Sequence, residues 1–249
     1  MDVQKKLSMG ISELVENGPI TIVALGDSVT HGGFEMDLMD YEAVYWNRLR
    51  QKIDAKNYFI PTNIINAGIG GGTAHIALPR LQRQCLDHHP DVVLVCFGLN
   101  DINLELEEYK ESLAEIFRRC READAQPILI TPNMLNTYVA DDVDERYHEY
   151  AAQTAEWQNG GRMDAFMDGA REVAAAMNVP VCDLYAHWKE LSKTQDTTMM
   201  LANRINHPNR ESHEWIAQQL FMMLFPDTLA KNEVTANKDV NTSTMYVDH

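Results

Sequence analysis

Four short blocks of the chain contain the residue types that acyl transfer requires. Ser28 lies in Gly26-Asp27-Ser28, and a serine hydroxyl attacks an acyl carbon when a base removes its proton. His207, far along the chain, can take that proton and return it to a leaving group. Gly71 lies in a Gly-rich run that lets backbone N–H groups approach a ligand oxygen, and the Asn100 amide can donate to the same oxygen. These residue types together predict serine-dependent acyl transfer.

The segments between these blocks alternate between strand and helix patterns. Residues 91–97 include a nearly continuous run of β-branched and aliphatic side chains, which suits a strand buried on both faces of a parallel sheet. The alternation predicts a three-layer α/β/α sandwich with a five-stranded parallel sheet. The predicted strands are residues 20–25, 62–66, 91–97, 127–131 and 179–182, and the predicted helices are residues 41–56, 73–88, 105–123, 164–177 and 208–224.

The positions of the four blocks place them at one end of that sheet. Ser28, Gly71 and Asn100 each follow a predicted strand, and His207 precedes the last predicted helix. Ligands of open parallel sheets bind outside the carboxyl ends of the strands, near the point where the strand order reverses. We therefore expect the serine, the imidazole and the hydrogen-bond donors to surround one reacting carbon.

The four blocks resemble those of the SGNH hydrolase superfamily, the GDSL-type esterases and lipases. Ser28, Gly71, Asn100 and His207 occur in the family's order and at similar distances, so the resemblance spans about residues 20–224. It implies a flavodoxin-like sheet, with Ser28 as nucleophile and His207 as base. It also implies an oxyanion hole made of the backbone N–H groups of Ser28 and Gly71 with the Asn100 side-chain amide. No metal or organic cofactor is implied.

The acid that completes the family's triad is missing from its usual position. The family places an aspartate three residues before the histidine, where this chain has Arg204, and some members place it one residue earlier, where this chain has Asn203. Asparagine can orient an imidazole, but it cannot stabilise imidazolium by charge. We expect a Ser28–His207 dyad helped by Asn203 or by a backbone carbonyl, with Asp183 as an alternative acid recruited in space.

Several of these features also have structural or non-catalytic interpretations. A serine or an aspartate at the start of a helix is a common N-cap, which is the preferred role for Asp101. We expect Asp27 to be a structural hydrogen-bond acceptor. The Gly-rich run does not fit the G-x-G-x-x-G pattern, because Thr73 takes the last position, so nucleotide binding is disfavoured. His31 and the pair at residues 88–89 lack a second cluster at ligand spacing, and no metal site is predicted.

Composition limits the partners and the compartment of the protein. The formal net charge of −16 over 249 residues argues against nucleic acid and against stable association with anionic membranes. No apolar run is long enough to cross a bilayer, and residues 1–18 have the spacing of an amphipathic helix rather than of a signal peptide. We expect a cytoplasmic protein whose partner is a small ester, and the oligomeric state stays open. The four cysteines have no CxxC spacing, and Cys96 and Cys182 are expected to be buried thiols.

The domain organisation and the substrate class complete the prediction. Residues 1–226 are expected to form one hydrolase domain, followed by a polar tail over residues 227–249. Residues 133–161 are interpreted either as an extra helix with a surface loop or as a lid or wall of the substrate pocket. We expect a small soluble ester as substrate, with a carbohydrate O-acetyl ester as the first candidate. The alternatives are a lysophospholipase- or thioesterase-type acyl hydrolase, or a binding protein of the same fold with weakened catalysis.

Overall fold

Five parallel strands form the centre of the protein. The computed structural model describes residues 3–56 and 61–226. Within them the sheet has the order β2-β1-β3-β4-β5, and all four pairings are parallel, so the predicted fold class is confirmed. The strands are β1 (Ile20–Gly26), β2 (Thr62–Gly68), β3 (Val92–Cys96), β4 (Gln126–Thr131) and β5 (Val181–Asp183).

Helices cover both faces of this sheet in two packed groups. One group contains α4 and α10, and the other contains α5, α6 and α8. Every residue of β3 is buried, as its apolar run predicted for a strand between two helix layers. The helices are α1 (Val3–Leu7), α2 (Ile11–Asn17), α3 (Ser28–His31), α4 (Tyr45–Lys56), α5 (Ala74–Gln84), α6 (Leu106–Glu122), α7 (His148–Asn159), α8 (Arg162–Ala176), α9 (Leu184–Leu191) and α10 (Arg210–Leu224).

The strand order places the point of reversal at β1. The chain runs from β1 outward to the edge strand β2 and then crosses back to β3 on the other side of β1. The connections that leave the carboxyl ends of these three strands carry Ser28, Gly71 and Asn100. This is the crevice in which open α/β sheets bind ligands.

Several elements differ from the sequence-based prediction. The amphipathic N-terminal segment is two short helices rather than one, and Lys6 of the first forms a buried ion pair with Asp91 at 2.9 Å. Helix α9 was not predicted, and it follows β5 directly because Asp183 caps it by accepting the Ala186 N–H. Residues 133–161 contain α7. The predicted tail at residues 227–249 lies outside the described residues.

None of the helices in the described part of the chain is long and apolar enough to span a membrane.

Candidate active site

The helical turn that carries Ser28 packs directly against the sheet. Helix α3 begins at Ser28, and the buried Asp27 caps it by accepting the Val29 N–H at 2.9 Å. A Cβ atom on Gly26 would lie 2.1 Å from the Thr30 hydroxyl oxygen, and one on Gly68 would lie 2.3 Å from the His31 nitrogen. No side chain therefore separates α3 from strands β1 and β2, and the strand backbones fix the position of the serine.

The structure brings Ser28 and His207 together across 179 residues of sequence. The Ser28 Oγ lies 2.9 Å from Nε2 of His207, and Nδ1 of the same ring lies 2.8 Å from the carbonyl oxygen of Phe34. Because a carbonyl oxygen only accepts, Nδ1 carries the proton and Nε2 is free to accept from the serine hydroxyl. Burial lowers the pKa of His207 below its usual 6.5, and the Phe34 carbonyl opposes that shift. The ring is therefore neutral at physiological pH, as a general base must be.

The three groups predicted to form an oxyanion hole lie in turns near the serine. Gly71 has φ +73°, a left-handed conformation that favours glycine. A Cβ on the adjacent Gly70 would lie 4.0 Å from the Ser28 Cβ, so this turn borders the nucleophile. The Asn100 Nδ2 donates to the Gly72 carbonyl at 3.0 Å, which ties the residue after β3 to the Gly-rich turn and leaves its second N–H available. Within residues 3–56 and 61–226, no hydrogen bond uses the N–H of Ser28 or Gly71.

Two buried carboxyl groups hold these donor-bearing turns. Asp27 Oδ1 accepts from Val29, and Asp101 Oδ1 accepts the Ala74 N–H at 2.8 Å. The Oδ2 atom of each aspartate is buried without a hydrogen-bond partner among the described residues. Burial raises the pKa of both carboxyl groups to about 7, against the effect of those backbone hydrogen bonds. Asp101 thus caps the start of a helix, as expected. That helix is α5, and not the short helical turn that begins at Asp101 itself.

Asn203 is close to His207 in sequence but does not contact its ring. Its Oδ1 accepts the backbone N–H groups of residues 205–207 at 2.9 to 3.0 Å, and its Nδ2 donates to the Asn206 side chain. The side chain therefore shapes the loop that carries the histidine. We expected the imidazole to be oriented by Asn203 or by a backbone carbonyl. The structure contains the second arrangement, in which Nδ1 donates to the carbonyl of Phe34.

The other two positions considered for an acid have different partners. Arg204 has φ +62°, donates to the Leu201 carbonyl and pairs with Asp142 at 3.0 Å. Asp183 pairs with Arg171 at 2.7 Å and caps α9. The prediction that Asp183 could replace the missing triad acid is therefore wrong.

The carbonyl that accepts the hydrogen bond from His207 lies in a hairpin formed by residues 32–40. The sequence did not predict this hairpin. Gly33 pairs with Met39 in an antiparallel bridge, and the Phe34 N–H donates to the Leu38 carbonyl at 3.1 Å. A Cβ on Gly33 would lie 3.0 Å from Cε1 of His207, so a larger residue there would crowd the imidazole where it approaches the hairpin. The Gly32-Gly33 pair signals a turn, but every residue has a carbonyl, so no residue type could identify Phe34.

Residues 133–161 form a wall beside the histidine loop. Asn133 donates to the Asn206 carbonyl at 2.9 Å, and the Asn136 N–H donates to the Ile205 carbonyl at 3.0 Å. The half-buried Tyr150 lies 3.4 Å from the Asn206 side chain. The segment therefore contains an extra helix and packs against the loop that carries His207, and its role beside the substrate stays a prediction.

The remaining candidate residues have structural surroundings. All four cysteines are buried and free, as expected for Cys96 and Cys182. In the part of the chain that the structure describes, no three His, Cys, Asp or Glu side chains are arranged to hold a metal ion. His31 is half-buried rather than exposed, and its Nδ1 has no partner among the described residues.

This arrangement, a serine and a histidine at the carboxyl ends of a five-stranded parallel sheet, is that of an SGNH-type hydrolase. Residues 24–215 match the GDSL-like Lipase/Acylhydrolase family, so the chain belongs to that family and is an esterase of the GDSL/SGNH type.

Three known proteins illustrate the similarity. The chain is 29% identical to the uncharacterized lipoprotein YqeF of Bacillus subtilis over 68% of this chain and 72% of the relative. It is 26% identical to thioesterase 1/protease 1/lysophospholipase L1 of Escherichia coli over 80% of this chain and 83% of the relative. The structure of Axe2, an acetylxylan esterase from Geobacillus stearothermophilus, aligns with a TM-score of 0.63 at 18% identity, covering 83% of this chain and 94% of that one, and shares the fold.

Proposed function

We propose that the protein hydrolyses esters through an acyl-enzyme formed on Ser28. The observation that carries the proposal is the hydrogen-bonded chain from Ser28 Oγ through His207 to the Phe34 carbonyl, at 2.9 and 2.8 Å. Ser28 Oγ attacks the ester carbon while Nε2 of His207 takes its proton. The carbonyl π electrons move onto the oxygen, which accepts hydrogen bonds from the N–H groups of Ser28 and Gly71 and from Asn100.

Collapse of this intermediate breaks the bond to the alcohol oxygen, which leaves with the proton from His207. A water molecule then attacks the acyl carbon, again with its proton going to Nε2. The second tetrahedral intermediate expels Ser28 Oγ, which takes the proton back. The products are a carboxylic acid and an alcohol, and the enzyme returns to its starting state.

The Phe34 carbonyl takes the place of the family's aspartate in this mechanism. It fixes the tautomer and the orientation of the ring, which are two of the tasks of the triad acid. A carbonyl dipole stabilises the imidazolium less than a full carboxylate charge does. We therefore expect a lower kcat than a complete triad would give.

The proposed substrate is a small soluble ester, and a carbohydrate O-acetyl ester is the first candidate. The acetylxylan esterase of similar fold supports this choice, as does the strongly acidic composition, which disfavours anionic partners. We also propose a cytoplasmic location on the sequence evidence given above, although one relative is named a lipoprotein.

A longer acyl chain is the second candidate, because the hairpin that contacts His207 carries exposed apolar side chains. Met36, Leu38 and Met39 are 40%, 45% and 45% exposed, which makes this loop unusually apolar for a surface segment. A relative named as a thioesterase and lysophospholipase supports the same candidate.

A fluorophosphonate probe combined with a series of p-nitrophenyl esters tests the proposal. We expect the probe to label Ser28 and Ser28→Ala to lose both labelling and hydrolysis, while Ser192→Ala, a change on an exposed turn, keeps both. A rate maximum at acetate supports the short-ester candidate, and a maximum at longer chains supports the second one. Hydrolysis that survives in Ser28→Ala would overturn the mechanism.

A further inference from the structure

Arg210 connects the 32–40 hairpin to the chain segment that carries His207. It is the first residue of α10 and follows the histidine by three positions. Its Nε donates to Asp40 at 2.9 Å, and its Nη1 and Nη2 donate to the two carboxylate oxygens of Glu35 at 2.7 and 3.2 Å. One planar guanidinium therefore binds carboxylates from both strands of the hairpin.

The ring of Phe34 contacts two side chains of the same helix. The Arg210 guanidinium lies 4.6 Å from the ring centre, and the His213 ring lies 4.5 Å from it. His213 is fully buried, and its Nδ1 accepts the Tyr45 N–H at 3.1 Å. The Phe34 side chain is thus fixed to α10, while its carbonyl oxygen faces the histidine that precedes α10.

These contacts form a closed loop of interactions. The imidazole of His207 donates to the hairpin through Phe34, and the hairpin carboxylates return to Arg210 on the histidine's own segment. A carbonyl has no net charge to attract the ring, so its effect depends on its distance and direction. The contacts that fix the position of the hairpin therefore also fix the orientation of the imidazole.

We propose that Arg210 is a positioning residue for catalysis, because it holds the Phe34 carbonyl against Nδ1 of His207. The proposal rests on the proposed function and explains how this chain acts without the family's aspartate. The two carboxylates and the guanidinium are partly exposed, at 44%, 25% and 38% for Glu35, Asp40 and Arg210, and such ion pairs add little to global stability. Loss of Arg210 should therefore affect turnover far more than folding.

Kinetics of Arg210→Met and Arg210→Lys on p-nitrophenyl acetate test the proposal. We expect kcat to fall about 10- to 100-fold in Arg210→Met, since a displacement of about 1 Å in a catalytic group has effects of this size, with KM nearly unchanged. Arg210→Lys should recover part of the loss, because an ammonium can pair with one carboxylate but cannot span both. The matched control is Glu214→Gln, which breaks ion pairs of Arg48 and Lys52 to the same helix without touching the hairpin, and kcat should stay unchanged.

A double-mutant comparison shows whether Arg210 acts through the hairpin. In Glu35→Gln/Asp40→Asn the arginine stays but its partners lose their charge, and we expect a kcat close to that of Arg210→Met. Adding Arg210→Met to this pair should cause no further loss. Proton NMR gives a second readout, because the Nδ1–H of His207 should give a downfield resonance in the wild type that weakens in Arg210→Met.

The outcomes separate this inference from the proposed function. Wild-type kcat in Arg210→Met, or equal losses in Arg210→Met and Glu214→Gln, would overturn the positioning role while Ser28→Ala still loses activity. A further loss on adding Arg210→Met to the hairpin pair would also overturn it. Retention of hydrolysis in Ser28→Ala would instead overturn the proposed function.

Discussion

The two halves of the active site are held by different forces. The half that we propose to bind the oxyanion, called the oxyanion half, comprises residues 26–31, 68–74 and 98–101, and buried carboxyl groups, close backbone contacts and strand ends fix it. The imidazole half comprises the 32–40 hairpin and residues 201–210, and a backbone carbonyl and partly exposed ion pairs fix it. The first half is fixed mainly by buried carboxyl groups and backbone contacts, whereas the second depends on ion pairs that are partly exposed.

This difference indicates how each half can vary. In the oxyanion half, residue identity is expected to matter, because Gly71 has a left-handed φ of +73° and the third proposed donor is the side-chain amide of Asn100. In the imidazole half, a backbone atom serves in place of a side chain, so a triad acid can be lost while the ring stays oriented. We expect substitutions in the first half to remove transition-state stabilisation and those in the second to misplace the base.

Asn100→Ala should give the largest effect of the four changes predicted here. Loss of one oxyanion donor typically lowers kcat by about 10²–10³-fold, or about 2.7–4 kcal/mol. The KM for a small ester should change little, because the donor binds the transition state more strongly than the ester. The matched control is Asn103→Ala, an exposed residue of the same turn. Equal rates for the two variants would contradict the assignment of Asn100 to the oxyanion hole.

The acid limb of the pH–rate profile should report the imidazole half. Burial lowers the pKa of His207, so the neutral base persists to below pH 6.5 and kcat/KM falls only at lower pH. Below the midpoint the rate should drop about tenfold per pH unit, since only the unprotonated ring accepts the serine proton. Measurement of kcat/KM between pH 4 and 9 checks this. A midpoint above 6.5 would indicate that a carboxylate, not a carbonyl, faces Nδ1.

Substitution of Asn203 distinguishes a loop-shaping role from a catalytic one. Asn203→Ala removes an acceptor from three backbone N–H groups, and one unsatisfied buried donor costs about 1–3 kcal/mol, so the melting temperature should fall. Asn203→Asp keeps the acceptor oxygen and should not raise kcat, because the side chain faces the backbone. A several-fold gain in kcat for Asn203→Asp would show that position 203 acts on the ring.

Asp101→Asn should have the smallest effect on turnover and should instead change the pH dependence of stability. The folded-state pKa of Asp101 is raised from 3.8 to about 7, so its contribution to stability is fully present below pH 3.8 and is lost as the pH rises to about 7. Asparagine keeps the acceptor for Ala74 and does not titrate. The melting temperature of the variant relative to the wild type should therefore rise between pH 4 and 7. A pH-independent difference would contradict burial as the cause of the shift.

The sequence predicted the scaffold better than the imidazole half. The strand at Val92–Cys96 was recognisable because an unbroken apolar run can only be buried on both faces. The sequence also predicted which residues follow the strand ends, because residue type and spacing along the chain identify them. These residues are Ser28, Gly71 and Asn100. Asn203 was expected to reach the ring because asparagine can do so, yet its oxygen is taken up by three N–H groups of its own loop.

Other features depended on tertiary structure. Helix α9 was not predicted because its first residues continue the apolar pattern of β5, and only the capping contact of Asp183 marks the boundary. The Phe34 carbonyl and the ion pairs of Arg210 join segments at least 170 residues apart. Neither periodicity nor local spacing contains that information.

The glycines beneath the nucleophile limit how the enzyme can be altered by directed evolution. Gly26 and Gly68 leave no space for even a methyl group between the strands and α3, so a saturation library should recover glycine alone at both positions. New acyl specificity then has to arise where side chains can be exchanged freely. Met36 and Leu38 are exposed on the hairpin beside His207, so we expect randomisation there to change the apolar surface near the histidine without displacing the serine.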